Sequence, residues 1–401
     1  MVTGMKNYAD NIKASDEYIL RQLHGKNYLL PIGQKIAAHC NSIELNESSL
    51  LLWNAIKSGV PRTELVNILK DYYQNQSLND DELLKDVNAF ITQLLYSGAL
   101  KDETKPSVNP NRYFRFASVT IGFTGYDKCL DPSLEDFSCE CASDSVTQHW
   151  LLRPLTYMPA FSGKLIINNR QLTLFLNEER YILMFPSNRH LLMCTISRDG
   201  SLAEFFYDHS LESDAKAELF YGMRNAFLVA AQNNGLFALH SASIEYNGKA
   251  WLFSGKSGTG KSTHTKLWNE LYNTKPINGD INLIGIENNT VMTYGTPWCG
   301  TSGIYTAGKF PLGGIVILKQ ASFNKVEELS EDSRQLLVAQ RMLSPTWLSS
   351  QTDRNLDFAD VIQKNVNVCR LLCNTQPEAA KVMKDYIDSK TGACEMGEYY
   401  D

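Results

Sequence analysis

The chain has 401 residues, 43% of them apolar and 20% charged, with a formal net charge of −6. That length holds two or three domains, the composition suits a globular protein with a substantial core, and the acidic balance excludes bulk attraction to nucleic acid or an anionic membrane. No apolar run reaches the ~18 residues of a membrane span. The opening segment Met1–Tyr18 lacks the apolar centre of a secretory signal, and nine cysteines in no regular framework read as reduced thiols of a cytoplasmic protein.

In chain order, two β-prone stretches, Tyr18–Leu20 and Tyr28–Ile32, predict a hairpin turning near Gly25. Asn46 is positioned to cap a helix with the apolar face Leu50, Leu51, Trp53, Ala55 and Ile56, which Gly59 ends. Pro61 suits the first turn of a second helix carrying Leu65, Ile68, Leu69 and Tyr72, and a third runs from Asp80 to Gly98. A hairpin and three short helices predict a winged-helix-like module over residues 1–104. The segment Lys105–Arg112, with Pro106 and Pro110, reads as a linker. Strands are predicted at Phe114–Phe123, Lys164–Ile167, Leu172–Leu176, Tyr181–Met184 and Leu191–Ile196, which makes 113–210 a β-rich segment. The acidic stretch Asp131–Asp144 within it is expected to be an exposed loop. Cys139 and Cys141 have no second Cys/His pair at zinc spacing, so no metal is assigned to them. From Asp214 the positions Ala217, Leu219, Phe220, Met223, Phe227, Leu228 and Ala231 predict an amphipathic helix running to Gly235. Beyond it strands and helices alternate, the pattern of an α/β layer over 211–401.

Chemistry enters at the short apolar strand Trp251–Ser254, which runs into Gly255-Lys256-Ser257-Gly258-Thr259-Gly260-Lys261-Ser262-Thr263 and then a helix with Leu267, Trp268 and Leu271. This is the P-loop pattern in the strand–helix context it requires. The glycines Gly255, Gly258 and Gly260 let backbone N–H groups turn inward and face phosphate oxygens at a helix N-terminus, with Ser257, Thr259 and Thr263 as further nucleotide-binding positions of the loop. Lys261 supplies a point charge to the β/γ-phosphates, and the Ser262 hydroxyl is a ligand for Mg²⁺. The expected cofactors are ATP and Mg²⁺.

Phosphoryl transfer also needs a carboxylate to hold metal or take the acceptor's proton. Asp280 stands eighteen residues beyond Ser262, a distance that fits helix, turn and second strand and returns it to the loop. Its other reading is a turn Asp following Gly279. His240 precedes the P-loop strand; catalytic assistance and a structural role weigh about equally for it. Tyr294–Gly303, dense in small and hydroxyl residues around Trp298, is a candidate active-site loop, the alternative being a tight connection with Trp298 packed inward. Cys299 reads as a passive small residue rather than a reactive thiol.

His240, Gly255–Ser262 and the Asp280 segment together resemble the catalytic core of HPr kinase/phosphorylase, itself similar to phosphoenolpyruvate carboxykinase. The resemblance covers most of Asp214–Ile387 and implies a P-loop α/β core with a mixed sheet. It also implies a His and an Asp near the γ-phosphate, the Asp acting as base toward a serine hydroxyl. Where that family has two adjacent aspartates this chain has Gly279-Asp280, and the family's Glu-x-Arg-Gly signature has no match, Thr296–Gly303 standing in about its place. Leu45–Trp53 and Val87–Leu100 resemble PqqD, which implies capture of a precursor-peptide leader by strand addition to the hairpin edge. The alternative is a winged-helix module serving packing or oligomerisation.

The expectation is therefore a cytoplasmic ATP-dependent kinase, PqqD-like at its N-terminus and HPr-kinase-like at its C-terminus. Its acceptor is a Ser or Thr hydroxyl of a peptide or small protein. Lys261, Asp280 and His240 carry the chemistry, and Ser262 and Asp280 the metal. No nucleic-acid or membrane partner is expected, and a homo-oligomer is compatible with this composition. The rivals are a small-metabolite kinase and a nucleotide-gated regulatory protein with weak turnover.

Overall fold

The computed structural model describes residues 12–33, 36, 41–73, 79–102, 108–141, 145–155, 163–208 and 210–395. It begins with β1 (Ile12–Ala14), β2 (Tyr18–Leu23), β3 (Lys26–Pro31) and β4 (Ile43–Leu45), followed by α1 (Glu47–Lys57), α2 (Arg62–Tyr72), α3 (Asp80–Ser97) and β5 (Leu100–Asp102). The expected hairpin is β2–β3, turning through His24 and Gly25, both at positive φ (48° and 82°) as a two-residue hairpin turn requires. β4 adds to β3, so the outer edge of β2 is unpaired among the described residues, while β1 pairs with β5. Asn46 caps α1, its Oδ1 accepting from the Ser49 N–H at 2.8 Å. Tyr18, Leu29, Trp53, Leu65, Val87 and Ile91 bury into a core of this region's own.

Of the expected linker, residues 105–107 lie outside the described residues, and Arg112 already opens a strand. The β-rich region is one eight-stranded sheet: β6 (Arg112–Phe116), β7 (Val119–Thr124), β8 (Gln148–Pro154), β9 (Lys164–Asn168), β10 (Thr173–Leu176), β11 (Arg180–Met184), β12 (Leu191–Ser197) and β13 (Leu202–Tyr207). Its order is β6-β7-β8-β13-β12-β11-β10-β9. The single strand expected over Phe114–Phe123 is instead a hairpin, because Ala117 takes φ 53° and reverses the chain with no Gly, Asn or Pro to mark the turn. β8 and β13, absent from the sequence prediction, pair parallel at the sheet's centre. The acidic stretch is not simply an exposed loop: Asp131 accepts from the Ser133 N–H at 2.9 Å and starts a 3-10 turn, Pro132–Phe137, that buries Leu134 and Phe137.

α4 (Ser213–Asn233) lays Leu219, Met223 and Phe227 on this sheet. The rest is β14 (Phe237–Tyr246), β15 (Lys249–Ser254), α5 (Lys261–Tyr272), β16 (Lys275–Asn278), β17 (Ile281–Glu287), β18 (Thr290–Tyr294), β19 (Lys309–Gln320), β20 (Lys325–Glu328), α6 (Glu331–Ala339), α7 (Ser349–Asn365), β21 (Asn367–Cys373) and α8 (Pro377–Glu395). β15, β19 and β21 run parallel, and β14, β17 and β18 pair antiparallel, so the layer is a mixed sheet. The β-rich sheet, α4 and the layer share one apolar cluster that includes Phe114, Trp150, Phe205, Phe227, Leu283 and Trp298. No helix among the described residues is long and apolar enough to cross a membrane.

Candidate functional site

The site forms where β14 changes partners. Phe237–His240 pairs with β17, His240 opposite Ile281, whereas Ser241–Tyr246 pairs with β15, Ser241 opposite Ser254. His240 therefore stands at the split, next to Asp280 on one side and to the strand that feeds the P-loop on the other. The Ser254 hydroxyl ties the two by donating to the His240 carbonyl at 2.7 Å.

The loop after Ser254 turns through Gly258 (φ 77°) and Gly260 (φ 97°), left-handed positions that glycine takes without strain. The Thr259 hydroxyl donates to the Lys256 carbonyl at 2.7 Å, and Gln320 at the end of β19 donates to the Gly258 carbonyl at 3.1 Å. α5 then starts at Lys261, with its free N-terminal N–H groups at the loop. Burial lowers the Lys261 pKa, Asp280 raises it back and Arg341 lowers it further. Its ammonium has no hydrogen bond or ion pair among the described residues.

Asp280 Oδ1 lies 3.2 Å from His240 Nε2, both side chains half-buried. That contact is the main reason the Asp280 pKa is lowered; burial opposes it, and the charges of His240, Arg224 and Lys261 reinforce it. The turn is set by buried Asn278, whose Oδ1 accepts from the N–H groups of Asp280 (2.8 Å) and Ile281 (2.9 Å). Its Nδ2 donates to the Thr296 carbonyl at 2.8 Å. Asp280 is thus a turn residue whose carboxylate also reaches His240.

Gly279 is a glycine for lack of space: a Cβ there would meet Ser302 Oγ at 2.0 Å. A second aspartate does not fit beside Asp280 while Ser302 stands there. Along the same loop, a Cβ at Gly300 would come within 3.1 Å of the Asp280 side chain. The loop is anchored by Trp298, buried between Phe116, Phe220 and Phe227, with its Nε1 donating to the Phe220 carbonyl at 3.1 Å. The reading of a connection with Trp298 packed inward holds, and the same segment brings Gly300 beside the Asp280 carboxylate. Burial raises the Cys299 thiol pKa, against a resting thiolate.

Sequence reasoning missed two arginines. Arg224 of α4 acts electrostatically on Asp280, and Arg341, in the turn after α6, acts on Lys261. The Arg341 carbonyl accepts from the His240 N–H at 2.9 Å, while its side-chain Nε is buried with no partner. Arg224 had a legible signal, a cation on the apolar stripe between Phe220 and Phe227. Arg341 had none. Beside the loop, at the C-terminal ends of β19 and β21, a cavity of ≈ 210 Å³ is lined by Thr259, Thr263, Leu267, Gln320, Cys373 and Thr375 among others. His264 also borders it and is kept neutral, burial lowering its pKa to about 4.

Lys261 and Arg224 thus act on Asp280, and Arg341 acts on Lys261. Ser262 and Asp280 offer the hard oxygen donors that Mg²⁺ takes. No protein-family model and no curated protein matches the chain. Among solved structures it is similar to the HPr(Ser) kinase/phosphatase from Coxiella burnetii, at 9% identity over 41% of this chain and 98% of that one, with a TM-score of 0.26. At that TM-score the likeness decides nothing about this chain.

Proposed function

We propose that the chain is an ATP-dependent kinase that transfers the γ-phosphoryl group to a Ser or Thr hydroxyl of a peptide or small protein. The observation that carries this reading is a P-loop lysine that closes no ion pair among the described residues, near an anionic carboxylate bonded to a histidine. In this reading the loop N–H groups, Lys261 and Arg341 hold the phosphates, and the nucleoside extends into the cavity between Thr263 and Cys373. That cavity is smaller than the ~300–1,000 Å³ of a whole-ligand pocket, so it takes part of the nucleotide, at the carboxyl ends of parallel strands where α/β sheets bind ligands. Mg²⁺ bound at Ser262 and Asp280 supplies charge neutralisation of the phosphates. Asp280 orients the acceptor hydroxyl and takes its proton as the new O–P bond forms and the β–γ bridge breaks, with His240 holding the carboxylate in place.

The N-terminal region is assigned leader capture, on the open edge of β2, by strand addition. Tethering gives a bound peptide an effective concentration of about millimolar. Removing residues 1–104 is expected to raise KM for a leader-bearing peptide and to leave ATP affinity intact. Equal KM in both forms removes the delivery role. One observation favours a second reading: the filled space at Gly279 leaves a single carboxylate, as suits a nucleotide-gated protein with slow turnover.

Lys261→Ala decides the primary reading. Calorimetry is expected to show ATP-Mg²⁺ affinity reduced and radiolabel transfer abolished, because Lys256 lies too early in the loop to substitute. Unchanged affinity and turnover refute the P-loop assignment. Nucleotide binding without transfer to any acceptor, in the wild-type chain, leaves the slow-turnover reading.

A further inference from the structure

Arg224 stands apart from the phosphate-side cations. Lys261 answers electrostatically to Asp280 and Arg341, whereas Arg224 answers to Asp280 and Tyr221. They also arrive on different elements: Lys261 heads α5 and the Arg341 carbonyl is bonded to the His240 N–H, whereas Arg224 lies on α4 over Tyr221. Phe220, four residues before Arg224 and so on the same face of α4, stacks on Trp298 at 5.7 Å, which sets this face against the Thr296–Gly303 loop and Asp280.

The Arg224 guanidinium lies 5.1 Å over the ring of Tyr221, itself 45% exposed, and makes no hydrogen bond or ion pair among the described residues. Stacking holds the planar group in place and leaves its N–H fork free for two parallel bonds to an oxyanion. Burial disfavours its charge and Asp280 restores it. A half-buried cation kept charged without a partner costs stability unless something anionic completes it.

Resting on the kinase reading, we infer that Arg224 is a specificity residue that binds an anionic group, a carboxylate or a phosphate, next to the acceptor hydroxyl. The acceptor class is then a Ser or Thr with an oxyanion neighbour, held by the guanidinium fork while Asp280 faces the hydroxyl.

The test uses the full chain with ATP-Mg²⁺ and synthetic serine peptides that differ only beside the serine: Asp, phosphoserine or Asn. A KM at least about tenfold lower for one anionic peptide than for the Asn peptide is expected, the worth of one charge-assisted hydrogen bond. The aspartate and phosphoserine arms tell which anion is meant. Arg224→Gln is expected to remove the preference through KM, and Arg224→Lys to restore part of it. Near-ultraviolet circular dichroism on both variants checks that they fold.

Equal KM for all three wild-type peptides overturns the inference and leaves the kinase reading standing. So does a preference that survives Arg224→Gln, or a loss confined to kcat, which makes Arg224 a phosphate-side residue. Transfer to none of the peptides, with ATP bound, overturns the kinase reading and this inference with it.

Discussion

Two carboxylates of this chain, Glu204 and Asp280, have cations around them, with opposite outcomes. In the β-rich sheet Arg153 and Arg180 both close on Glu204, Arg153 at 3.5 Å, and Thr195 donates to the same carboxylate at 3.3 Å. Around the P-loop segment Arg224 and Lys261 act on Asp280 without an ion pair to it among the described residues, and Asp280 bonds His240 instead. In the first group Arg153 and Glu204 are buried and paired, and the charges answer one another across the sheet. The second is half-buried, and neither Lys261 nor Arg224 closes an ion pair on its carboxylate among the described residues. That difference marks a candidate binding site off from a strut.

The comparison breaks most sharply at Asp280. Asp280→Asn keeps the shape and removes the charge, so single-turnover transfer is expected to fall on the order of 10²–10⁴-fold, the usual worth of general-base catalysis. Melting temperature at neutral pH is expected to fall somewhat, since the ionised carboxylate's contribution is lost, while the turn persists because the Asn278 bonds that set it go to backbone N–H groups. A near-wild-type rate means another carboxylate takes the proton.

Glu204→Gln is expected to do the reverse. It neutralises the carboxylate that pairs with Arg153, 4% exposed, and one-sided loss of a buried pair costs about 3–5 kcal/mol. Urea denaturation should show that loss, while ATP affinity of the folded fraction stays put. Weakened ATP binding with unchanged stability would reverse the two roles.

The mildest perturbation is pH. The Asp280 pKa is lowered in the folded protein, so its charge contributes stability above the unfolded value of about 3.9. That contribution is lost as pH falls through the lower folded value. Transfer is therefore expected to show no Asp280 limb between about pH 5 and 7 and to decline only below the ordinary carboxylate range. An acid limb near pH 6 that vanishes in Asp280→Asn would contradict the direction of that shift.

Much of the local structure was legible because it rests on neighbouring residues. The Asn46 cap, the His24-Gly25 turn, the three N-terminal helices and the strand–loop–helix around Lys261 each follow from a few consecutive side chains. The reversal at Ala117 was not, since nothing in Phe114–Phe123 marks a turn. Nor were β8 and β13, whose parallel pairing joins segments about fifty residues apart.

For the candidate site, residue types and spacing alone singled out Lys261, Ser262, Asp280 and His240. Only the tertiary structure decided that β14 leaves β17 for β15 just after His240, which brings the imidazole within 3.2 Å of Asp280. It also decided that Ser302 fills the space beside Gly279, and that Arg224 and Arg341 arrive from elements on either side. A P-loop closes on contacts within nine residues and can be read from them. The charge balance around Asp280 sums over side chains far apart in sequence, and strand register determines which of them meet.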